Sequence, residues 1–140
     1  EGVARTGRPL GSVSNAQFCT SLLFPALLGR SPVELGLQIE LTVFSYQEGR
    51  AKPDPTLFEG PLATLRERGI DSSHVVYLGN DMRNDILAAQ RAGCMSILFA
   101  GDKRSLRVRG DDPQTAELEP DSVIQSLDQL PAVALGNHHA

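Results

Sequence analysis

One stretch restricts the fold more than any other: "HVVYLGNDMRNDILAAQRAGCMSILFAG", residues 74–101. It opens on an apolar run of strand length, rich in β-branched and aromatic residues, that ends at Gly79. Such a run suits a strand buried on both faces. Two acids follow, Asp81 and Asp85, and then a helical pattern predicted from about Met82 to Ala92, stopped by Gly93. A second apolar run, "MSILFAG", comes straight after. Strand, helix and strand in so little chain imply two parallel strands joined by a crossover helix.

The remainder repeats the alternation. "LGSVSN" predicts a short strand ending at Ser14 and Asn15. Asn15 is placed to cap a helix carrying Phe18, Leu22 and Ala26, which Pro25 should bend or end and Gly29 should stop. "IELTVFSY" (39–46) predicts a strand and "QEGRAKPDP" a loop. Asp54 followed by Pro55 reads as an N-cap with proline at the first helical position. Leu57, Phe58, Leu62 and Leu65 form the buried stripe of that helix, with a kink or restarted turn at Pro61 and an end at Gly69. "DSVIQSLDQL" predicts a last strand and helix after a charged loop at 102–119. The expected organisation is an irregular lead-in over 1–9, an α/β core over 10–131 and a disordered tail over 132–140. The fold class is α/β, a three-layer Rossmann-like parallel sheet. Its site should lie beyond the carboxyl ends of the strands.

Ser14, Lys52 and the pair Asp81/Asp85 all fall at or just after strand ends. The two carboxylates, with Asn80 and Asn84 beside them, can hold a hard cation through oxygen and water, and Mg²⁺ fits because it borrows ligands from substrate phosphate. The plainer alternative is that one aspartate caps the helix and both favour its positive end. Lys52 precedes a helix start, where a cation meets phosphate or quiets a carboxylate; a solvated loop lysine is the alternative. A hydroxyl at Ser14 can donate to phosphate with the Asn15 and Ala16 amides assisting, or simply cap.

Taken together, "SVSNAQ", "GRAKPDPTLF" and "YLGNDMRNDILAAQRAGC" resemble the second, third and fourth motifs of the haloacid dehalogenase (HAD) superfamily, in the right order, from about Leu10 to Leu130. The acidic motif points to the phosphatase branch. Members of that branch use an aspartate nucleophile, Mg²⁺ and an aspartyl-phosphate intermediate to hydrolyse phosphate monoesters. The resemblance implies that Ser14 and Lys52 are catalytic, that Ser14, Asn15 and Lys52 bind phosphate, and that Asp81, Asp85 and Asn80 belong to the Mg²⁺ site. Many members have Gly-Asp-Ser where this chain has Gly79-Asn80-Asp81, so either Asn80 or Asp81 is the ligand there.

The family's first motif, DxDx[TV] at the end of an apolar strand, is not found in the sequence, and "RGDDPQT" has the wrong spacing. The expected fold therefore lacks the usual first strand and the cap, leaving two strands on one side and two or three on the other. The chain begins with Glu rather than Met. It is expected to be a fragment, to be completed by an identical or different chain, or to be a degenerate relative. Alone it is expected to be inactive as a phosphatase; the alternative function is a non-catalytic assembly or anion-binding module. The net charge of −4 and the 5% aromatic content give no case for nucleic acid. No apolar run is long enough to span a membrane. Cys19 and Cys94 read as small buried hydrophobes in a reducing cytoplasm. The basic run "GDKRSLRVRGDD" reads as a solvated loop or a patch for an anion, His74 as a surface residue, and His138 and His139 as part of a frayed tail.

Overall fold

The computed structural model describes residues 3–136. Every strand pair in it is parallel, as the alternation requires. The strands fall into two sheets: β1 (Ser12–Ser14) with β2 (Thr42–Phe44), and the order β3 (Val76–Gly79), β4 (Met95–Phe99), β5 (Ser122–Ile124). The residues group into two compact units, Glu1–Gly69 and Ile70–Ala140, so each unit holds one sheet. Where two strands and a further two or three were expected, the chain forms a two-stranded and a three-stranded sheet.

In the first unit, helix α1 (Thr20–Leu28) starts later than its spacing suggests. Cys19 is its N-cap, without a side-chain cap bond, and Asn15 is engaged elsewhere. Pro25 does not end the helix. It removes one backbone donor, and the helix continues to Leu28, where Gly29 takes φ 65° and donates to the Pro25 carbonyl. None of the α1 residues is buried. The strand expected over 39–46 is shorter: a 3₁₀ turn (Ile39–Leu41) precedes β2, and a one-turn helix α2 (Ser45–Glu48) follows. The KPDP region behaves as its residues dictate. Asp54 caps a 3₁₀ turn (Pro55–Phe58), its carboxylate accepting from the Thr56 amide at 2.9 Å, and a new helix α3 (Glu59–Glu67) starts just before Pro61. Leu57, Phe58, Leu62 and Leu65 are buried, and Gly69 takes φ 78° where the chain leaves the helix.

In the second unit the core is fully closed at Ile86, Ala88, Ala89 and Ile97. β4 is the central strand and is buried at Ser96, Ile97 and Leu98. β3 is half-buried throughout rather than buried on both faces. Among the described residues its strand neighbour in this sheet is β4 alone, so the apolar run forms an edge of the sheet. The helix after it opens as a π-type segment (Met82–Leu87), in which the Ile86 amide reaches the Asp81 carbonyl at 3.1 Å, and becomes regular in α4 (Ala88–Arg91). Such wide turns are rare and favour functional sites. Helix α5 (Leu130–Ala134) takes in residues expected to belong to the tail, and a 3₁₀ turn (Ala4–Thr6) lies within the lead-in. His138 and His139 lie outside the described residues. Cys94 is buried, Cys19 only half-buried, and both are free. His74 is exposed, as expected. Among the described residues no helix is long and apolar enough to cross a membrane.

Candidate active-site residues at the strand ends

The first unit assembles Ser14, Asn15 and Lys52. Ser14 closes β1 opposite Phe44 of β2. One residue on, the Asn15 side chain exchanges two hydrogen bonds with the Lys52 backbone: its Nδ2 donates to the Lys52 carbonyl at 3.0 Å, and the Lys52 amide donates to its Oδ1 at 2.7 Å. The Lys52–Pro53 peptide is cis. The primary amide of Asn15 thus imitates one rung of a β ladder, tying the strand end to the loop that carries the lysine. The Ala16 amide does not fit the expected role of assisting phosphate: it donates to the Ser45 hydroxyl at 3.0 Å, which returns a bond to the Ala16 carbonyl at 3.1 Å.

Asn80, Asp81 and Asp85 are brought together in the second unit. Asp85 is buried beneath the turn, and its Oδ2 accepts from the amides of Asn80 and Asp81, both at 3.0 Å. A side chain at residue 79 would collide with the Asp85 carboxylate, which explains the glycine there. Asp81 is the N-cap of the following helix, its Oδ1 accepting from the Arg83 and Asn84 amides at 3.0 and 3.1 Å. Its Oδ2 accepts from Asn84 Nδ2 at 3.1 Å. Burial alone would push the Asp81 carboxyl up; the Arg109 guanidinium and the two amides outweigh it and hold the carboxyl below its ordinary range. Burial, and then the Asp85 charge, push the Tyr77 phenol up, and its hydroxyl lies 3.5 Å from Asp85 Oδ1.

The plainer expectation, an aspartate as helix cap, thus describes Asp81, while Asp85 braces the turn from beneath. These roles suit a Mg²⁺ site in kind: the candidate ligand atoms are hard oxygens, and the N–H groups that donate to Asp81 Oδ2, Asn84 Nδ2 and Arg109 Nη2, belong to side chains that can exchange without breaking the backbone. Among the described residues no group of three or more His, Cys, Asp or Glu gathers as a ready metal cluster. Further ligands would have to come from outside these residues.

Sequence reasoning missed Arg109. Its Nη2 donates to Asp81 Oδ2 at 2.6 Å and its Nε to Asp81 Oδ1 at 3.0 Å. The basic loop at 102–109 is therefore not simply solvated. The Arg107 amide donates to the Asn80 carbonyl at 2.8 Å, the Met82 amide to the Arg107 carbonyl at 2.9 Å, and Asn80 Nδ2 to the Ser105 carbonyl at 2.8 Å. Nothing in local spacing announces a pair 28 residues apart.

In each unit polar residues follow the end of a parallel strand, with paired acids in the turn after β3 in the second, which is where Rossmann-like α/β folds place their ligands. Residues 49–130, more than half of the chain, match the HAD-hydrolase-like family, and the chain belongs to it. It is 30% identical over 92 residues to the ribulose-1,5-bisphosphate 5-phosphatase of Halopiger xanaduensis, a match spanning 66% of this chain and 37% of that protein. The fold is similar to a HAD phosphatase from Thermococcus onnurineus, with a TM-score of 0.66 at 20% identity, over 99% of this chain and 55% of that one. It is also similar to YfnB of Bacillus subtilis bound to magnesium, with a TM-score of 0.67 at 18% identity, over 96% of this chain and 51% of that one. The chain thus spans little more than a third of that archaeal phosphatase and about half of the two structures.

Proposed function

We propose that Ser14, Asn15 and Lys52 handle phosphate, and Asp81, Asp85 and Asn80 the cation, in a Mg²⁺-dependent HAD phosphatase acting on a small phosphate monoester. The observation that carries this reading is the paired bond between Asn15 and the Lys52 backbone, which holds Ser14 and the KPDP loop in fixed register. In this reading Ser14 donates its hydroxyl to a phosphoryl oxygen, and Asn15 fixes the backbone that presents Lys52. The lysine stabilises the charge that develops during transfer. Asp81, Asp85 and Asn80 would hold Mg²⁺, which when bound neutralises phosphoryl charge. Asp85 also braces the turn through the Asn80 and Asp81 amides. Names among the similar proteins support the reading, one being a sugar bisphosphate phosphatase and another a protein bound to magnesium.

The sequence holds no DxDx[TV] motif to attack phosphorus. These residues alone are therefore inactive, and turnover requires that strand from another segment or from a second chain, identical or different. A cytoplasmic setting suits a pair of free thiols.

A phosphatase assay on the chain with Mg²⁺ tests the reading. No turnover is expected. Robust turnover that Asp85→Asn abolishes would refute inactivity. Failure of Mn²⁺ to bind at all would favour the assembly or anion-binding alternative.

A further inference from the structure

Asp81 already carries a cation. Arg109 meets it through two parallel hydrogen bonds, the fork geometry that makes guanidinium–carboxylate pairs both directional and strong. The pair joins a buried carboxylate to an exposed arginine whose backbone is held in place. Asp81 is buried, and Arg109 is the one non-glycine residue with positive φ among the described residues, at 57°. That conformation is uncommon for a residue with a side chain. It is held from behind, because the buried Thr115 hydroxyl donates to the Arg109 carbonyl at 2.7 Å. From the other side, the backbone bonds of Arg107 to Asn80 and Met82 fix the loop against the acidic turn. The backbone therefore delivers this guanidinium to this carboxylate.

A divalent cation at Asp81 needs the oxygens that Arg109 occupies. We propose that Arg109 is a resident counter-cation, so that divalent-cation binding at Asp81 and release of the segment carrying Arg109 are a single exchange. The inference rests on the reading of Asp81 as a cation ligand. The exchange weakens cation affinity relative to a bare acidic turn. It also makes the loop around Arg109 report on occupancy of the site.

Mn²⁺ titration of the whole chain, followed by the electron paramagnetic resonance signal of the free ion, tests it. Arg109→Gln is expected to bind Mn²⁺ about ten-fold tighter than the unaltered chain, from loss of a charge-assisted pair. Arg104→Gln, which removes a nearby charge not bonded to Asp81, should shift affinity far less. Equal gains from both variants would reduce the effect to net charge and overturn the proposal. Equal affinity of Arg109→Gln and the unaltered chain, or no binding by either, would also overturn it. Asp81→Asn separates the two readings. If it abolishes binding while Arg109→Gln changes nothing, the cation reading stands and the exchange fails. If it binds as the unaltered chain does, both fail. A readout without variants guards against misfolding: saturating Mn²⁺ should speed amide hydrogen exchange at 105–115 in the unaltered chain. Unchanged or slower exchange there contradicts the release of Arg109.

Discussion

Gly79 and Asp85 act as one unit, although only the acid looks chemical. The carboxylate lies so close over Gly79 that a methyl group there has nowhere to go. Gly79→Ala should cost about 1–3 kcal/mol, the range for overpacking a filled site, read as a lower urea midpoint. Asp85→Gly should cost less in the Gly79→Ala background than alone, since it removes both the Cβ and the carboxylate against which a methyl at 79 collides. Strict additivity in that cycle would mean the glycine is there for another reason. The two cysteines differ in the same local way. Burial pushes the Cys94 thiol up to about 11, so it stays protonated and covered near neutrality. Cys19 is half-buried at the start of α1. Alkylation of the folded chain at pH 7.5 should modify Cys19 first, with Cys94 reacting only after denaturant is added; faster labelling of Cys94 would contradict its placement in the core.

β4 and β5 are joined by more than their ladder. Ser96, fully buried on β4, donates its hydroxyl and its amide to Asp121 Oδ2, both at 2.7 Å, just ahead of β5. Gln90 Nε2 donates to the same hydroxyl at 3.0 Å. Ser96→Ala strands these partners and should cost about 1–3 kcal/mol. The cost depends on pH with a definite sign. The Ser96 amide and then its hydroxyl hold the Asp121 carboxyl below its ordinary range. Its contribution is therefore present above the unfolded value of about 3.9 and lost as pH falls through the lower folded value. The urea-midpoint gap between Ser96→Ala and the unaltered chain should be widest near neutrality and should narrow on acidification, leaving the part due to the lost Gln90 bond. A gap independent of pH would assign the loss to packing alone. Apolar periodicity made this strand legible, because burial and spacing are the same fact along one segment. It could not show that β3 is an edge, since that depends on which strands pair beside it. Ser14 was legible at the end of a strand, whereas Lys52 lies in a loop that α2 separates from β2. Arg109 was not legible, because its partner is fixed by the path of a loop rather than by any repeat.

The two units are unequally built, and that inequality sets how the whole chain opens. The largest fully buried side chains, Ile86, Ile97, Ile124 and Ser96, all belong to residues 70–140. Among the described residues the first unit has a smaller set at its centre, Val13, Leu41, Phe44, Leu57, Phe58, Leu62 and Leu65, and a sheet of two strands. A two-stranded sheet has no central strand, and a pair of strands is marginal unless something packs on it. Helix α1 adds little to that core, because Leu22, Leu23, Leu27 and Leu28 are exposed. Local opening free energy follows buried apolar contact. Native-state hydrogen exchange should therefore find the β4 amides slowest and those of β1 and β2 faster by orders of magnitude. The first transition in urea should bleach protection in residues 12–44 while β4 remains protected. Synchronous loss across both units would mean they unfold as one, and the difference in burial would then have no kinetic consequence. If the split is observed, it bears directly on the proposed chemistry: Ser14, Asn15 and Lys52 sit in the unit that opens first, and Asp81 and Asp85 in the one that holds. A bound phosphate analogue should then slow exchange most in β1 and the 50–54 loop, where its proposed ligands are least protected without it.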